Sequence, residues 1–335
     1  MTTVAIAIVH YHAEALLARC LMALGASTLK DFAVVVVDNG SASGLDWLNG
    51  IDSRIRVVRA PGNVGFSAGV NLALAELPES APCLLLLNPD VFVDPDTLER
   101  TAAVLSADAS LGAVTCKVVR PGGELDPACR RSDPTLVSGL SRHLGLQALF
   151  PHSRLFGRYN LTYLDARREH EVDSGTAAFL LIRRDALLAA GGKMDERFFL
   201  YGEDLDLCRR IRGCGYRILY WPHTRAVHVK GSGRVRGARA TFEFHRAMWI
   251  YYRKWGAHRR NPLVLVPLLS VVSALGAIEL VRNALRLRRD SRKTSGEPLP
   301  RQELELPRST CEERLAGHDD EPGNPRTTRV SRGSA

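Results

Sequence analysis

CLLLLNPDV, residues 83–91, is a run of five apolar residues that ends directly in Asn88, Pro89 and Asp90. A continuous apolar run of this length before a polar turn is typical of a strand that is buried on both faces of a sheet. Comparable runs lie on both sides of it along the chain: VAIAIVHY from Val4, FAVVVVDNG from Phe32, IRVVRAP from Ile55 and LGAVTCKVV from Leu111. Because helical patterns separate these strands, the sequence predicts an α/β fold with a mostly parallel central sheet and helices on both faces.

Further elements are expected after a loop-rich region at residues 120–169. VDSGTAAFLLIRRDAL, from Val172, predicts a strand that runs into a helix, and YRILYWP and AVHVKGSG, from Tyr216 and Ala226, predict the strands that complete the sheet. A last helical pattern, TFEFHRAMWIYYRKWG, ends at Gly256. Residues 1–256 are therefore predicted to form the folded domain.

Polar residues follow four consecutive predicted strands. In parallel sheets, ligands bind at the carboxyl ends of the strands, so these residues are candidates for binding or catalysis. They are Tyr11 after the first strand, Asp38 and Asn39 after the second, Asn63 after the third, and Asn88 and Asp90 after the fourth.

The composition is that of a globular protein, with 45% hydrophobic and 24% charged residues and a formal net charge of +9. The cations concentrate after about Lys230 without a nucleic-acid-binding motif, so no nucleic-acid partner is expected. Seven cysteines form no CxxC pair, which favours reduced thiols in the cytosol. The N-terminus lacks the features of a signal peptide.

The C-terminal region divides into two predicted parts. Residues 257–289 contain an apolar segment, Pro262–Leu280, between two basic flanks, and residues 290–335 are polar and aperiodic, as in a disordered tail. Basic flanks at both ends and prolines at 262 and 267 favour a segment that lies on the cytosolic leaflet over one that crosses the membrane. A buried helix of the folded domain is the alternative.

Two motifs suggest contact with phosphate. GNVGFSAGVNLAL, from Gly62, places small residues before a helix whose N-terminus can face an anion, although it matches neither GxGxxG nor a Walker motif. Asp90 ends a buried strand, where its carboxylate can hold Mg²⁺ or Mn²⁺ against a diphosphate or serve only as a turn residue. Asp94 and Asp96 are assigned to the cap of the following helix.

The most acidic stretch is FFLYGEDLDLCRR, from Phe198, with Glu203, Asp204 and Asp206 within four positions. In a helix that starts near Glu203, Asp204 shares the face of the apolar residues and should point inward, whereas Asp206 should point outward. Capping explains one carboxylate at a helix start but not two adjacent ones. Glu203 and Asp204 are therefore candidates to position a hydroxyl and to accept its proton.

Six motifs, in this order, resemble those of family 2 glycosyltransferases in the branch of bacterial rhamnosyltransferases: DNGS at 38–41, GNVGFSAGVN at 62–71, NPDV at 88–91, DSGTAAFLLIRRD at 173–185, ERFFLYGEDLDLCRRIR at 196–212 and HVKGSG at 228–233. The resemblance covers about Val4 to Gly256. It implies a GT-A type fold, a nucleotide-diphosphate sugar donor, a divalent cation (Mg²⁺ or Mn²⁺) and inversion at the anomeric carbon.

The resemblance also implies roles for individual residues. Asp38 resembles the base-binding carboxylate, Asn88 to Asp90 the diphosphate and metal motif, and Asp204 the general base beside an acceptor-binding Glu203. Asn88 replaces the first acid of the usual DxD motif, so the metal would depend on Asp90. His228 resembles a further metal ligand, or is a structural histidine. The remaining implied positions are Tyr11, Asn63, Gly65 and Asn71 for the donor and Ser174 and Gly175 for the acceptor.

The expected function is transfer of a sugar, on this resemblance L-rhamnose from dTDP-L-rhamnose, to a polyprenyl-diphosphate-linked saccharide at the inner face of the cell membrane. A nucleotidyltransferase would carry a Gly- and Arg-rich loop after the first strand, and VAIAIVHYHAEALL has none. A catalytically silent sugar-nucleotide-binding or membrane scaffold protein is the non-enzyme alternative. The sequence leaves the oligomeric state open.

Overall fold

The computed structural model describes residues 3–42, 44–135, 145–229 and 238–256, together with residues 138 and 141 and single positions between 263 and 282. The predicted tail, 290–335, lies outside the described residues, as does much of the predicted membrane segment. Those assignments therefore stay predictions. Within the described part, no helix has the length and apolar character needed to cross a membrane.

The described residues form nine strands: β1 Val4–His10, β2 Phe32–Asp38, β3 Ile55–Arg59, β4 Cys83–Leu87, β5 Val91–Val93, β6 Leu111–Val119, β7 His170–Glu171, β8 Phe179–Arg183 and β9 Arg217–His228. The α-helices in the same residues are α1 Glu14–Gly25, α2 Phe66–Glu76, α3 Thr97–Ala107, α4 Leu146–Leu149, α5 Arg184–Ala189, α6 Glu203–Gly213 and α7 Ala238–Trp255. The helix predicted to begin near Glu203 is thus confirmed.

All nine strands belong to one sheet, in the order β3-β2-β1-β4-β8-β6-β9-β5, with β7 on β9. Strands β1 to β4 form the parallel part that the sequence predicted. The second part is mixed, because β8 runs antiparallel between β4 and β6. Leu87 at the end of β4 therefore faces Phe179 at the start of β8, and the chain before β8 reaches the carboxyl edge of β4.

The core follows from the apolar runs. All seven residues of β1 and all five of β4 are buried, as expected for strands covered on both faces. Helix α2 packs on β1 and β2, and α3 packs on β6 and β9. A smaller cluster of Phe198, Leu205, Ala247 and Tyr251 joins the acidic helix α6 to the C-terminal helix α7. This packing covers the first turn of α6 with α7.

Candidate active site

The ends of β2 and β3 meet in a hydrogen-bonded loop cluster. Asp38 is buried, and its Oδ1 accepts a hydrogen bond from the N–H of Ser41 at 2.9 Å. The amide nitrogen of Asn39 donates to Asn63 Oδ1 and to the carbonyl of Gly65, each at 3.3 Å. The structure thus brings together Asp38, Asn63 and Gly65, which were predicted to bind the donor, and Asn39, a candidate from the strand-end pattern, links Asn63 to Gly65.

Gly65 lies where this cluster meets the segment before α6. Its φ is +89°, and a Cβ there would lie 2.6 Å from the Phe199 side chain, so both the conformation and the space require glycine. The N–H of Phe66 donates to the carbonyl of Phe199 at 2.7 Å, and Ser67 Oγ donates to the carbonyl of Phe198 at 2.6 Å. The glycine-rich motif therefore anchors the acidic segment to α2.

Several of the N–H groups that the sequence offered to an anion are already used within the protein. The N–H groups of Val64, Gly65 and Phe66 all donate to protein oxygens. A phosphate at the start of α2 would find fewer donors than the motif suggested. The main observed role of the motif is to position neighbouring segments.

Asn71, predicted as a donor-binding residue, also joins α2 to the chain before α6. Its amide nitrogen donates to the carbonyl of Met194 at 3.1 Å and to Glu196 Oε1 at 2.8 Å. Its amide oxygen accepts the N–H of Met194 at 2.8 Å. Because both ends of the amide are used, these contacts favour a positioning role for Asn71.

Tyr11 lies at the same edge of the sheet, directly after β1. It is 46% exposed, and its ring contacts that of His12 with 4.3 Å between centroids. The preceding residue, His10, pairs in register with Asp38. Tyr11 is therefore placed beside the Asp38 cluster with nearly half of its side chain exposed, which suits a residue that stacks on a base.

Asp90 and His228 converge at the end of β4. The carboxylate Oδ1 of Asp90 lies 3.3 Å from His228 Nε2, and the carbonyl of Asp90 accepts the N–H of Val229 at 2.9 Å. The other ring nitrogen of His228, Nδ1, lies 3.2 Å from Oδ2 of the buried Asp126. Both predicted metal ligands are thus adjacent, and Asp126, which sequence reasoning missed, contacts the second ring nitrogen.

The donor chemistry of this pair fits a divalent cation. A carboxylate oxygen and an imidazole nitrogen are ligands that Mn²⁺ accepts, and Mg²⁺ commonly uses one or two carboxylates with substrate oxygens. A carboxylate on the second nitrogen of a histidine is the usual means of orienting such a ligand. In the described part of the chain, however, no three His, Cys, Asp or Glu residues form a metal-holding group. Substrate oxygens would have to complete the coordination.

Asp204 points inward from the first turn of α6, as predicted. Its Oδ1 accepts the N–H of Leu205 at 2.8 Å, and its Oδ2 accepts the N–H of Ala177 at 3.3 Å. The carbonyl of the next residue, Ala178, accepts the N–H of Asn88 at 3.2 Å. Two hydrogen bonds, one to Ala177 and one to Ala178 in the chain before β8, therefore connect the start of α6 to Asn88 at the end of β4.

Arg131 contacts three of the predicted site residues. Its Nη2 lies 2.8 Å from Asp204 Oδ2, and it also donates to the carbonyl of Gly175 and, at 3.4 Å, to Ser174 Oγ. Burial alone would lower the pKa of Arg131, but the charge and hydrogen bond of Asp204, together with neighbouring Tyr159 and Cys208, outweigh burial and raise it. The structure thus joins Ser174 and Gly175 to Asp204 through an arginine that no sequence motif indicated.

Glu203 differs from its neighbour. It is buried, and its Oε2 has no hydrogen-bond partner among the residues that the structure describes. Burial raises the pKa of Glu203 strongly, and the negative charge of Asp204 adds to the effect. The two adjacent carboxyls therefore have different surroundings. Asp204 contacts a cation and two N–H donors, whereas Glu203 is desolvated.

The prediction that Asp206 points outward is wrong. Asp206 is fully buried, and it contacts Arg210 Nε at 2.9 Å, Lys254 Nζ at 2.7 Å and Trp255 Nε1 at 2.7 Å. The physical reason is that the end of α7 covers the second face of α6. The third carboxylate of the cluster is a structural anchor between two helices.

The comparisons with known proteins agree with this geometry. A family model described as glycosyltransferase like family 2 matches residues 2–251, which confirms the resemblance inferred from the motifs. N-acetylglucosaminyl-diphospho-decaprenol L-rhamnosyltransferase of Mycobacterium tuberculosis is 28% identical over 231 residues, which are 66% of this chain and 74% of that protein. Uncharacterized protein y4gI of Sinorhizobium fredii is 30% identical over 260 residues, 74% of this chain but 27% of that protein.

A solved structure supports the fold. The crystal structure of GalNAc-T7 with UDP, GalNAc and Mn²⁺ superposes with a TM-score of 0.55 at 13% identity, covering 83% of this chain and 55% of that one. The predicted GT-A type fold is thereby confirmed. This chain spans about a quarter of the Sinorhizobium relative and about half of the solved one.

Proposed function

The chain belongs to glycosyltransferase like family 2, and we propose that it moves a sugar, with inversion, from a nucleotide diphosphate to a hydroxyl of a lipid-linked saccharide. The observation that carries this proposal is the bridge from Asp204 through Ala177 and Ala178 to Asn88. This bridge connects the carboxylate of Asp204, which would accept the proton, to the end of β4, where a diphosphate would bind. Inversion requires this arrangement, because nucleophile and leaving group lie on opposite sides of the anomeric carbon.

Asp204 is the proposed proton acceptor. An ionised carboxylate can accept about four hydrogen bonds, and Asp204 receives three, from Arg131, Ala177 and Leu205. The remaining capacity, on Oδ1, can take the proton of the acceptor hydroxyl. The hydroxyl oxygen then forms the bond to the anomeric carbon while the bond from that carbon to the diphosphate oxygen breaks.

Glu203 is proposed to position the acceptor. Its raised pKa favours the neutral carboxylic acid, which can donate a hydrogen bond to a sugar hydroxyl. The two adjacent carboxyls, one paired with Arg131 and one without a cation partner, can thus take different roles in one reaction, as the resemblance implied. Ser174 and Gly175, held by Arg131, would form the adjoining wall of the acceptor site.

The donor is proposed to bind at the other strand ends. Asp38 would accept the N3–H of thymine or uracil, with the Tyr11 ring and the Asn63 and Gly65 loop beside it. A divalent cation held by Asp90 and His228 would neutralise charge on the departing diphosphate. The name of the Mycobacterium relative supports L-rhamnose as the transferred sugar and a polyprenyl-diphosphate-linked saccharide as acceptor. We propose dTDP-L-rhamnose as the donor, and a lipid-linked acceptor would place the chain peripherally on the cytosolic leaflet.

A donor screen tests the proposal. The full chain is incubated with Mn²⁺ and a panel of nucleotide sugars, and nucleotide release is measured with and without lipid-linked acceptor. Release that is fastest with dTDP-L-rhamnose and stimulated by acceptor is the expected result. Binding of every sugar nucleotide without release or transfer would support the silent binding protein instead. Equal affinity for GDP and dTDP by calorimetry would exclude the assignment of Asp38 to pyrimidine recognition.

A further inference from the structure

The end of α4 and the loop after it carry a cluster of exposed apolar side chains. Leu149 is 70% exposed, Phe150 52% and Leu155 55%. The Phe150 ring packs on that of Phe156 with 5.6 Å between centroids. Three large apolar side chains exposed within seven positions differ from the single exposed residues that are normal on soluble surfaces.

Cations lie within the same segment. Arg154 and Arg158 are exposed, and neither forms an ion pair with another described residue. The Arg154 guanidinium lies 5.9 Å from the Tyr163 ring centroid, and its charge is otherwise presented to solvent. Leu149, Phe150 and Leu155 together with Arg154 and Arg158 are called the 149–158 surface below. Its charge is complementary to an anionic surface with an apolar interior.

The loop is held in shape and fixed near the candidate active site. Ser153 Oγ accepts the N–H groups of Leu155 and Phe156 at 3.2 and 3.3 Å. At the end of the loop, Ser132 donates from its N–H to the carbonyl of Tyr159 at 2.8 Å and from its Oγ to the carbonyl of Arg158 at 3.0 Å. Ser132 directly follows Arg131, the partner of Asp204.

We infer that the 149–158 surface binds the face of a bilayer that contains anionic lipid. The apolar side chains would enter the boundary between headgroups and acyl chains, and the two arginines would meet anionic headgroups. The inference rests on the proposed lipid-linked acceptor. Because Ser132 ties the loop to the residue next to Arg131, a bilayer bound at the 149–158 surface would lie near Asp204, where the acceptor would react. This membrane contact is separate from the predicted segment Pro262–Leu280.

Vesicle flotation of the full chain tests the inference. Vesicles contain phosphatidylglycerol and phosphatidylcholine in equal parts, or phosphatidylcholine alone. Leu149→Ser/Phe150→Ser/Leu155→Ser is expected to lower partitioning about tenfold or more on both. Arg154→Gln/Arg158→Gln should lower it about fivefold per cation on the anionic vesicles only.

Matched controls separate this surface from general hydrophobicity and from misfolding. Met22→Ser/Ile51→Ser/Leu188→Ser removes three other exposed apolar side chains and should partition like wild type. The arginine variant keeps the apolar contacts and should melt at the wild-type temperature. Wild-type partitioning of the Leu149 triple variant, an equal loss in the control, or a change in self-association without a change in vesicle binding would each overturn the inference. Nucleotide release by the same variants, measured without lipid, tests the proposed function independently.

Discussion

Arg131 and Asp204 form a buried ion pair, with Nη2 2.8 Å from Oδ2 and about a tenth of each side chain exposed. The same guanidinium contacts Ser174 and Gly175, so the acid at the start of α6 and the turn before β8 are one hydrogen-bonded unit. Removing one partner of such a pair leaves a charge in a poorly solvated place, whereas removing both relieves this cost. The contacts of this pair therefore bear on both stability and catalysis.

The two neighbouring carboxyls should respond differently to neutral substitution. Asp204→Asn removes the proposed proton acceptor and should lower turnover by roughly 10² to 10⁴-fold while donor affinity persists. Glu203→Gln keeps a neutral side chain of similar shape that can still donate a hydrogen bond, so turnover should fall much less. Steady-state kinetics with donor binding by calorimetry measure both.

The reverse order of effects would contradict this assignment. If Glu203→Gln abolishes turnover and Asp204→Asn does not, Glu203 is the base and Asp204 only orients it. Glu79→Gln, which removes an exposed carboxylate outside the candidate site, is the control and should leave turnover unchanged.

Breaking the Arg131 pair should destabilise the fold. Arg131→Met leaves Asp204 buried without its cation and is expected to cost about 3–5 kcal/mol in the free energy of unfolding. Arg131→Met/Asp204→Leu should recover most of that loss. Urea unfolding measures the change, with Arg168→Met as control, because the exposed Arg168–Asp165 pair should contribute less than about 1 kcal/mol. Equal losses in the single and double variants would mean that the arginine stabilises by packing alone.

The parts of the fold that the sequence predicted rest on local patterns. The apolar runs from Val4, Phe32 and Cys83 became fully or largely buried strands because each carries its burial signal within a few residues. The antiparallel placement of β8 has no such signal, since it depends on how a distant strand inserts between β4 and β6.

The candidate site shows the same division. Asp38, Asn63 and Gly65 converge because parallel strands share a carboxyl edge, which the strand pattern makes predictable. Arg131 and Asp126 lie in loops without periodicity, so only the folded chain brings them to Asp204 and His228. The one sequence signal for Arg131 is local composition, because Arg130 and Arg131 are adjacent cations in a loop whose other residues are mainly small or polar.

Asp206 illustrates a helical pattern overridden by tertiary packing, and it supplies a prediction. Helix periodicity placed it outward, but Lys254 and Trp255 follow about fifty residues later and cover it. Asp206→Asn should lower the free energy of unfolding by about 1–3 kcal/mol, because it removes charge-assisted hydrogen bonds from a buried group. Mn²⁺-dependent donor affinity of the folded variant should stay unchanged. Urea unfolding at wild-type stability would show that Lys254 is satisfied without it.

The raised pKa of Glu203 predicts a pH dependence of stability. A carboxyl whose pKa is higher in the folded than in the unfolded chain binds more protons when folded, so it favours folding below the ordinary glutamate pKa of about 4.3. That contribution is lost as pH rises through the raised pKa. Glu203→Gln, which does not titrate, should therefore unfold at a higher temperature than wild type at alkaline pH. Parallel thermal melts that stay a constant distance apart from acid to alkaline pH would contradict the role of burial.

The last prediction concerns the row of Asp126, His228 and Asp90. Asp90→Asn should weaken Mn²⁺-dependent dTDP binding, because an amide oxygen is a poorer ligand for a hard cation than a carboxylate. Asp126→Asn leaves the ligands in place but alters the group that faces His228 Nδ1 at 3.2 Å, and losses of about 10–100-fold in metal affinity are typical of such changes. Calorimetry with and without Mn²⁺ separates these effects from metal-free nucleotide binding, which both variants should retain.

Asp94→Asn is the control, since Asp94 pairs with Arg225 at a half-exposed position of the same region. If Asp126→Asn binds Mn²⁺ and dTDP as wild type does, Asp126 stabilises the fold and does not orient His228 toward a metal.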